Sequence, residues 1–484
     1  MILEPIGVAI MIVGLLTFVY GIGFGLAILM SLLAVGSAAA LNLTALGNSS
    51  IQPSHFLLLF IAGAAVLKPR ILQAALVNLR YPGPGFWFAS FVLYSIITGF
   101  FMPRIFVGET MVYSAARNAA GRTSIITVPL QPSTANITQT VYLLGSLGCF
   151  AVVSAYASLG RLHFLAKALC TAGLVCLLLA AVDMVTFWTG TGYLMDFLRN
   201  ANYAIMSEAE IGGIKRIVGA FPEASSYGSC AISLFAFVLI MKIERFEFPL
   251  LGVITGGLAL TVLLCTATTA YVASIVPIFC TFAFCVTCIV KRRATSRHIS
   301  FLVFGFLIAP LILLGSMLIP AVWETMTTIV DQTLTNKLAT DSGVERMAWN
   351  RAAIVSFFDT YSFGAGLGSV RGSSFVTALL SNVGIVGTLL FGCFMASLLR
   401  SVLSGGGTRI ERSIGLAALF AALTQASASV VSGTVVDLGL LFSTTAGLAA
   451  GYAAMGRSAH AEDDIASTRV QRVPMPMSPS LTAP

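Results

Sequence analysis

Four residues have the types and spacing to do chemistry together: Arg216, Glu223, Arg346 and Arg371. The first two lie in the run RIVGAFPEASS, residues 216–226, where a basic pair with Lys215 precedes a Pro-Glu turn. The other two lie in SGVERMAWNRAAIVSFFDTYSFGAGLGSVRG, residues 342–372. Guanidinium groups are always charged and bind phosphate oxygens as a bidentate fork. A carboxylate at the mouth of a helix bundle can act as a base if partial burial raises its pKa. The combination suits the phosphate or diphosphate of a lipid-borne substrate. The plainer readings are a solvated loop face for Arg346 and Arg351, and helix capping for Glu223.

The elements that must position these residues are membrane helices. The chain is 57% hydrophobic and only 10% charged, against about 25% charged in soluble proteins. Apolar runs long enough to cross a bilayer recur along almost the whole length. The reading is an all-α polytopic membrane protein with about 12 or 13 spans over residues 1–455. Two short spans are expected within 6–41, and others near 55–68, 86–102, 139–159, 164–188, 226–241, 249–266, 269–290, 299–320, 374–399, 412–431 and 434–455. The start, MILEPIGVAI, reads as a retained first span rather than a signal peptide. The tail, 456–484, is polar and is expected to be disordered and cytoplasmic.

Three long polar loops, 103–137, 190–224 and 321–373, interrupt the spans. Basic residues in the short loops, among them Lys68, Arg70, Arg80, Arg161, Lys242 and Arg409, put those loops in the cytoplasm by the positive-inside rule. The three long loops then share the outer face. In the last of them, residues 321–340 read as an amphipathic surface helix. Ser342 and Glu345 read as a capping box starting a second helix that ends near Asp359. Gly364, Gly366 and Gly368 form a turn before Arg371.

Several function classes fall away. The net charge of +8 is spread over short loops, which is not a nucleic-acid footprint. The spacing of Cys280, Cys285 and Cys288 could suggest an iron–sulfur site, but the three share one apolar span, and buried thiols are the plainer reading. No outer loop carries a carboxylate cluster with metal-ligand spacing, so no metal or other cofactor is expected. No pair of broken, inverted helices is visible, which counts against a secondary transporter. Asp183 is the clearest intramembrane acid such a transporter would use.

At the same residues the sequence resembles the O-antigen polymerase and ligase superfamily of bacteria. The likeness rests on Glu345, Arg346 and Trp349, on Gly364, Gly366, Gly368 and Arg371, on a span with Asn382, Gly384 and Gly387, and on the Arg216-to-Glu223 run. The resemblance implies a GT-C-like enzyme of the inner membrane with its active site facing the periplasm. It implies metal-independent, inverting glycosyl transfer with undecaprenyl diphosphate as leaving group. Arg216, Arg346 and Arg371 would bind the diphosphate, and Glu223 would position or deprotonate the attacking hydroxyl. Expected partners are an undecaprenyl-diphosphate-linked oligosaccharide, the bilayer, a chain-length regulator and a flippase. Ligases of the superfamily carry a histidine in the large loop. Residues 321–373 contain none, which favours a polymerase over a ligase; a flippase or transporter is the third reading.

Overall fold

The computed structural model describes residues 2–43, 49–117, 123–202, 205–206, 208–211, 214–331 and 341–471. Proline marks where many helices start, because a first-turn residue needs no amide donor and its fixed φ already suits the helix. It does so for α1 (Pro5–Tyr20), α3 (Pro53–Val66), α4 (Pro69–Asn78) and α5 (Pro84–Ile105), with α2 (Ile22–Leu32) between. α6 (Thr134–Tyr156) and α7 (Leu162–Trp188) follow, separated by a break at Leu159 and Gly160. Next come α8 (Ala224–Ile243), α9 (Leu251–Leu264), α10 (Thr268–Val290), α11 (Ser296–Val303) and α12 (Ala309–Met317). The last group is α13 (Pro320–Val330), α14 (Asp341–Asp359), α15 (Phe375–Leu403), α16 (Arg409–Ser432) and α17 (Gly439–Gln471).

The all-α, multi-pass reading holds. Among the described residues, seven helical stretches are long and apolar enough to cross a membrane, or eight if a bent pair is one span. One of the seven, Thr134–Trp188, has 55 residues and is broken into α6 and α7, each long enough to cross alone. The bent pair is α3 with α4, which turn through 105° at Leu67–Lys68. α1, α2 and α9 have 16, 11 and 14 residues. At about 1.5 Å rise per residue they fall short of a ~30 Å hydrocarbon core. α9 nevertheless leads from the end that holds Glu244 back to Thr266, whose carbonyl accepts from Arg216.

The long loops meet at one end of the bundle. The N-terminus shares that end: β1 (Ile2–Leu3) pairs with β2 (Leu41–Leu43), which pairs with β3 (Ser49–Ile51). α1 and α2 therefore form a helical hairpin that leaves this end and returns. Beside them, the amides of Gly36 and Ser37 both donate to Ala220 O at 2.9 Å, which ties the second long loop to the α2 exit. Within residues 103–137 the chain forms an antiparallel hairpin, β4 (Met111–Arg117) with β5 (Thr123–Pro129), where only loop was expected. Arg371 N donates to Tyr113 O at 3.0 Å, joining the 360–374 segment to β4. We call this the hairpin end. At the opposite end Arg409 Nε meets Glu244 Oε2 at 2.7 Å, and His298 Nε2 meets Glu244 Oε1 at 2.9 Å.

α8 is central: 78% of its apolar window is buried, against none of the Ser296–Met317 window at the periphery. Exposed leucines and phenylalanines on such outer helices suit lipid rather than water. Phe88, Phe394 and Phe442 knit α5, α15 and α17 together, with ring centroids 4.7 Å (Phe88–Phe394) and 6.1 Å (Phe394–Phe442) apart. α13 and α14 confirm helix in the last long loop; the remainder of the expected amphipathic helix, 332–340, lies outside the described residues, as does the Ser342 side chain. α17 runs on to Gln471, past Gly456, where the polar tail was expected to begin. Residues 472–484 lie outside the described residues.

The glycine-rich turn packs against a kink in α15. Gly364 has φ +85° and a Cβ there would stand 2.6 Å from Gly384 N. Gly368 has φ +84° and a Cβ would stand 2.6 Å from Ala135 O. Gly364→Ala should therefore lower stability by about 1–3 kcal/mol or more, from left-handed strain plus backbone overlap. Gly392→Ala, which meets open space, should be near neutral. Thermal unfolding of the two variants in detergent checks this; equal midpoints would contradict the packing account.

Candidate functional site

The segment carrying Arg216 and Glu223 is held from beneath by a buried carboxylate. Asp183, near the end of α7, accepts from Arg199 Nη2 at 2.6 Å and Lys215 Nζ at 2.7 Å. Its other oxygen accepts from the amides of Val218 and Gly219, both at 3.0 Å. Arg199 also donates to Gly219 O at 2.6 Å. Asp183 is 1% exposed, and a carboxylate so deep persists only when paired and hydrogen-bonded. The residue that stood out as a transporter acid is thus the anchor of the 215–219 turn.

Above that anchor, Arg216 Nη2 donates to Thr266 O at 3.2 Å, while its Nε is buried with no partner among the described residues. Burial holds the Arg216 guanidinium below the usual arginine value. Cys265, Glu223 and Tyr271 push it back up, and Arg346 pulls it further down. Those influences place Glu223 and Arg346 within electrostatic reach of Arg216. Glu223 precedes α8 at its N-terminal cap position, and the Ser225 hydroxyl donates to its Oε1. Arg346 is half-buried on α14. One turn on, Asn350 Oδ1 accepts from Ser373 N and from the Thr377 hydroxyl, both at 2.7 Å. α14 is thereby docked on the start of α15.

Arg371 stands apart. It lines a separate cavity of about 20 Å³, with room for one water, together with Ser114, Gln139, Asn382 and Val436. Burial lowers its pKa, without the charged neighbours that act on Arg216. Gln139 Oε1 in the same cavity is buried without a partner among the described residues. The motif residues around it have structural work: Asn382 Nδ2 donates to Val370 O at 2.8 Å, and Gly366 N donates to Asn382 O at 2.9 Å. Arg216 thus lies within electrostatic reach of Glu223 and Arg346, while Arg371 lines its own cavity.

Sequence reasoning missed two groups here. One is the pairing of Asp183 with Arg199 and Lys215. The other is Asp437, in the turn between α16 and α17, next to Val435 and Val436 of the Arg371 cavity. Its Oδ1 accepts from the Ser146 hydroxyl at 2.7 Å and from the Gly439 amide at 3.2 Å. Its apolar neighbours Val435, Val436 and Leu438 were the available signal. Among the described residues, one group could hold a metal: Glu244, Cys288 and His298, with ligand atoms within 4.8 Å of one another at the opposite end. There Glu244 is already engaged by Arg409, and His298 Nδ1 lies 3.1 Å from Thr295 N. The two groups are committed to each other and to the fold.

The two acids can each be tested by removing the charge. Asp183→Asn leaves Arg199 and Lys215 buried without their counter-charge, a loss of about 3–5 kcal/mol. Adding Lys215→Met should recover part of it; thermal unfolding in which the double variant is worse than the single would contradict the pairing. Asp437→Ala removes the acceptor of the Ser146 hydroxyl and the Gly439 amide and should lower stability by about 1–3 kcal/mol; an unchanged thermal unfolding midpoint would contradict that role. No family model, curated protein or solved structure matches this chain.

Proposed function

We propose that the chain is a polymerase of lipid-linked oligosaccharide repeat units in the bacterial inner membrane, with the hairpin end facing the periplasm. The reading joins the sequence resemblance to one observation. Arg216, half-buried and with its Nε unpartnered among the described residues, lies within electrostatic reach of a second cation, Arg346, and of one carboxylate, Glu223. Two guanidinium groups against one carboxylate leave a net positive site at a helix-bundle mouth, which favours an anion.

In the reaction proposed, a sugar hydroxyl of one lipid-linked unit attacks the anomeric carbon of another, with inversion. The bond to the undecaprenyl diphosphate breaks as the new glycosidic bond forms. Charge grows on the departing diphosphate, where Arg216 and Arg346 stabilise it, the kind of fixed electrostatic contribution that dominates many active sites. Glu223, steadied by Ser225, takes the proton of the attacking hydroxyl. The guanidinium groups carry the counter-charge a metal supplies elsewhere. The clamp is Arg216 with Arg346; Arg371 lines its separate cavity. A chain-length regulator and a flippase are the partners such a polymerase needs.

The test is the purified protein in nanodiscs with a synthetic undecaprenyl-diphosphate-linked repeat unit and a chelator, following release of undecaprenyl diphosphate. Wild-type protein should release it and extend the glycan. Arg346→Lys, which keeps the charge but not the fork, should slow release roughly 10²-fold. Wild-type protein that releases no undecaprenyl diphosphate would overturn the reading.

A further inference from the structure

A second compartment lies on the other flank of α14. It is an open cleft of about 560 Å³ between α14 and the β4–β5 hairpin, within the roughly 300–1,000 Å³ range of small-molecule sites. Its polar wall is made by Glu109, Thr110, Tyr113, Thr127, Arg351 and Asp359. Arg351 follows Arg346 by five residues, a turn of about 140° around the helix, so the two arginines serve different sides of one element.

The charged groups of this cleft are not paired with one another. Asp359 Oδ2 accepts from the Thr110 hydroxyl at 2.7 Å, its one hydrogen bond among the described residues. Among the described residues neither Arg351 nor Glu109 enters an ion pair. Two carboxylates against one guanidinium make the cleft formally negative, which repels a phosphate and contrasts with the Arg216–Arg346 side. A carboxylate only accepts hydrogen bonds and a guanidinium only donates them, whereas a hydroxyl does both. A ligand covered in hydroxyls therefore satisfies every group present. The Tyr113 ring, 6.3 Å from that of Trp349, adds an aromatic surface for the apolar face of a ring. An apolar ligand would leave both acids desolvated and unpaired.

We infer that this cleft binds the neutral glycan portion of the substrate, an uncharged oligosaccharide, while the other flank of α14 takes its anionic end. The inference rests on the polymerase reading for the identity of the whole substrate. The cleft is wired to the rest of the site: Tyr113 O accepts from Arg371 N at 3.0 Å, and α14 is fixed to α15 through Asn350. A glycan seated here would steady the helix that carries Arg346.

The test uses full-length protein in nanodiscs and lipid-free oligosaccharides, released from the producing cell's surface polysaccharide by mild acid and freed of phosphate. Binding is followed by calorimetry, with inorganic pyrophosphate as the anionic probe. The expected result is oligosaccharide binding that Glu109→Gln and Arg351→Gln each weaken about tenfold, with pyrophosphate binding unchanged. Both side chains are solvent-exposed, so both variants should fold. Arg346→Lys should show the reverse pattern. Wild-type protein that binds no oligosaccharide, or cleft variants that bind it as wild type does, would overturn the inference. If cleft variants alone lose oligosaccharide while wild type releases no undecaprenyl diphosphate, the polymerase reading fails and the glycan cleft stands. If polymerisation proceeds and cleft variants keep wild-type affinity and KM, the reverse holds.

Discussion

The hairpin end depends on one buried carboxylate. Asp183 gathers Arg199, Lys215 and two successive backbone amides, and in doing so it fixes a turn that has no helix or long strand to hold it. The geometry explains why the acid tolerates burial: each oxygen has at least one strong donor, and two donors are cationic. It also explains a division of labour between adjacent residues. Lys215 points into the core and pairs its charge with Asp183, which leaves Arg216, next in the chain, free of a carboxylate salt bridge among the described residues. The turn then delivers Glu223 to the start of α8, the most enclosed of the membrane-length helices.

A second constraint is the way α14 is mounted. Asn350 locks it to the start of α15, and Ala353 is buried with Val112, Leu130 and Val370 in a small cluster at the hairpin end. Held at both points, the helix presents Arg346 to one side and Arg351 with Asp359 to the other. A single rigid element thus divides a positively charged compartment from a formally negative one. Division of that kind suits a substrate with a charged anchor and a neutral, hydroxyl-rich body.

Much of the fold was legible in the sequence, for physical reasons that also mark where legibility ends. Apolar runs and N1 prolines located helices well, because both act locally. α1, α2 and α9 are apolar but have only 16, 11 and 14 residues, so apolarity alone does not fix the number of crossings. The β4–β5 hairpin had a signal in the β-branched run Ile125–Val128, which polarity-based reading of the loop passed over. Arg216, Glu223 and Arg346 were found by residue type, and Arg216 feels the charges of the other two. The Gly364–Gly368 turn was found as a motif, but its reason is packing: backbone atoms of the α15 kink and of α6 leave no space for a Cβ. Asp183 was noticed for the wrong role, since partners 16 and 32 residues away in the chain cannot be read from its neighbours.

The proposed reaction requires an anionic lipid head group at the hairpin end. The most direct measurement is a cryo-electron microscopy structure of the protein in nanodiscs with undecaprenyl diphosphate. Density for the diphosphate between Arg216 and Arg346 is the predicted result. Density at the opposite end, in the cavity lined by Arg70 and Arg80, with none at the hairpin end, would contradict it.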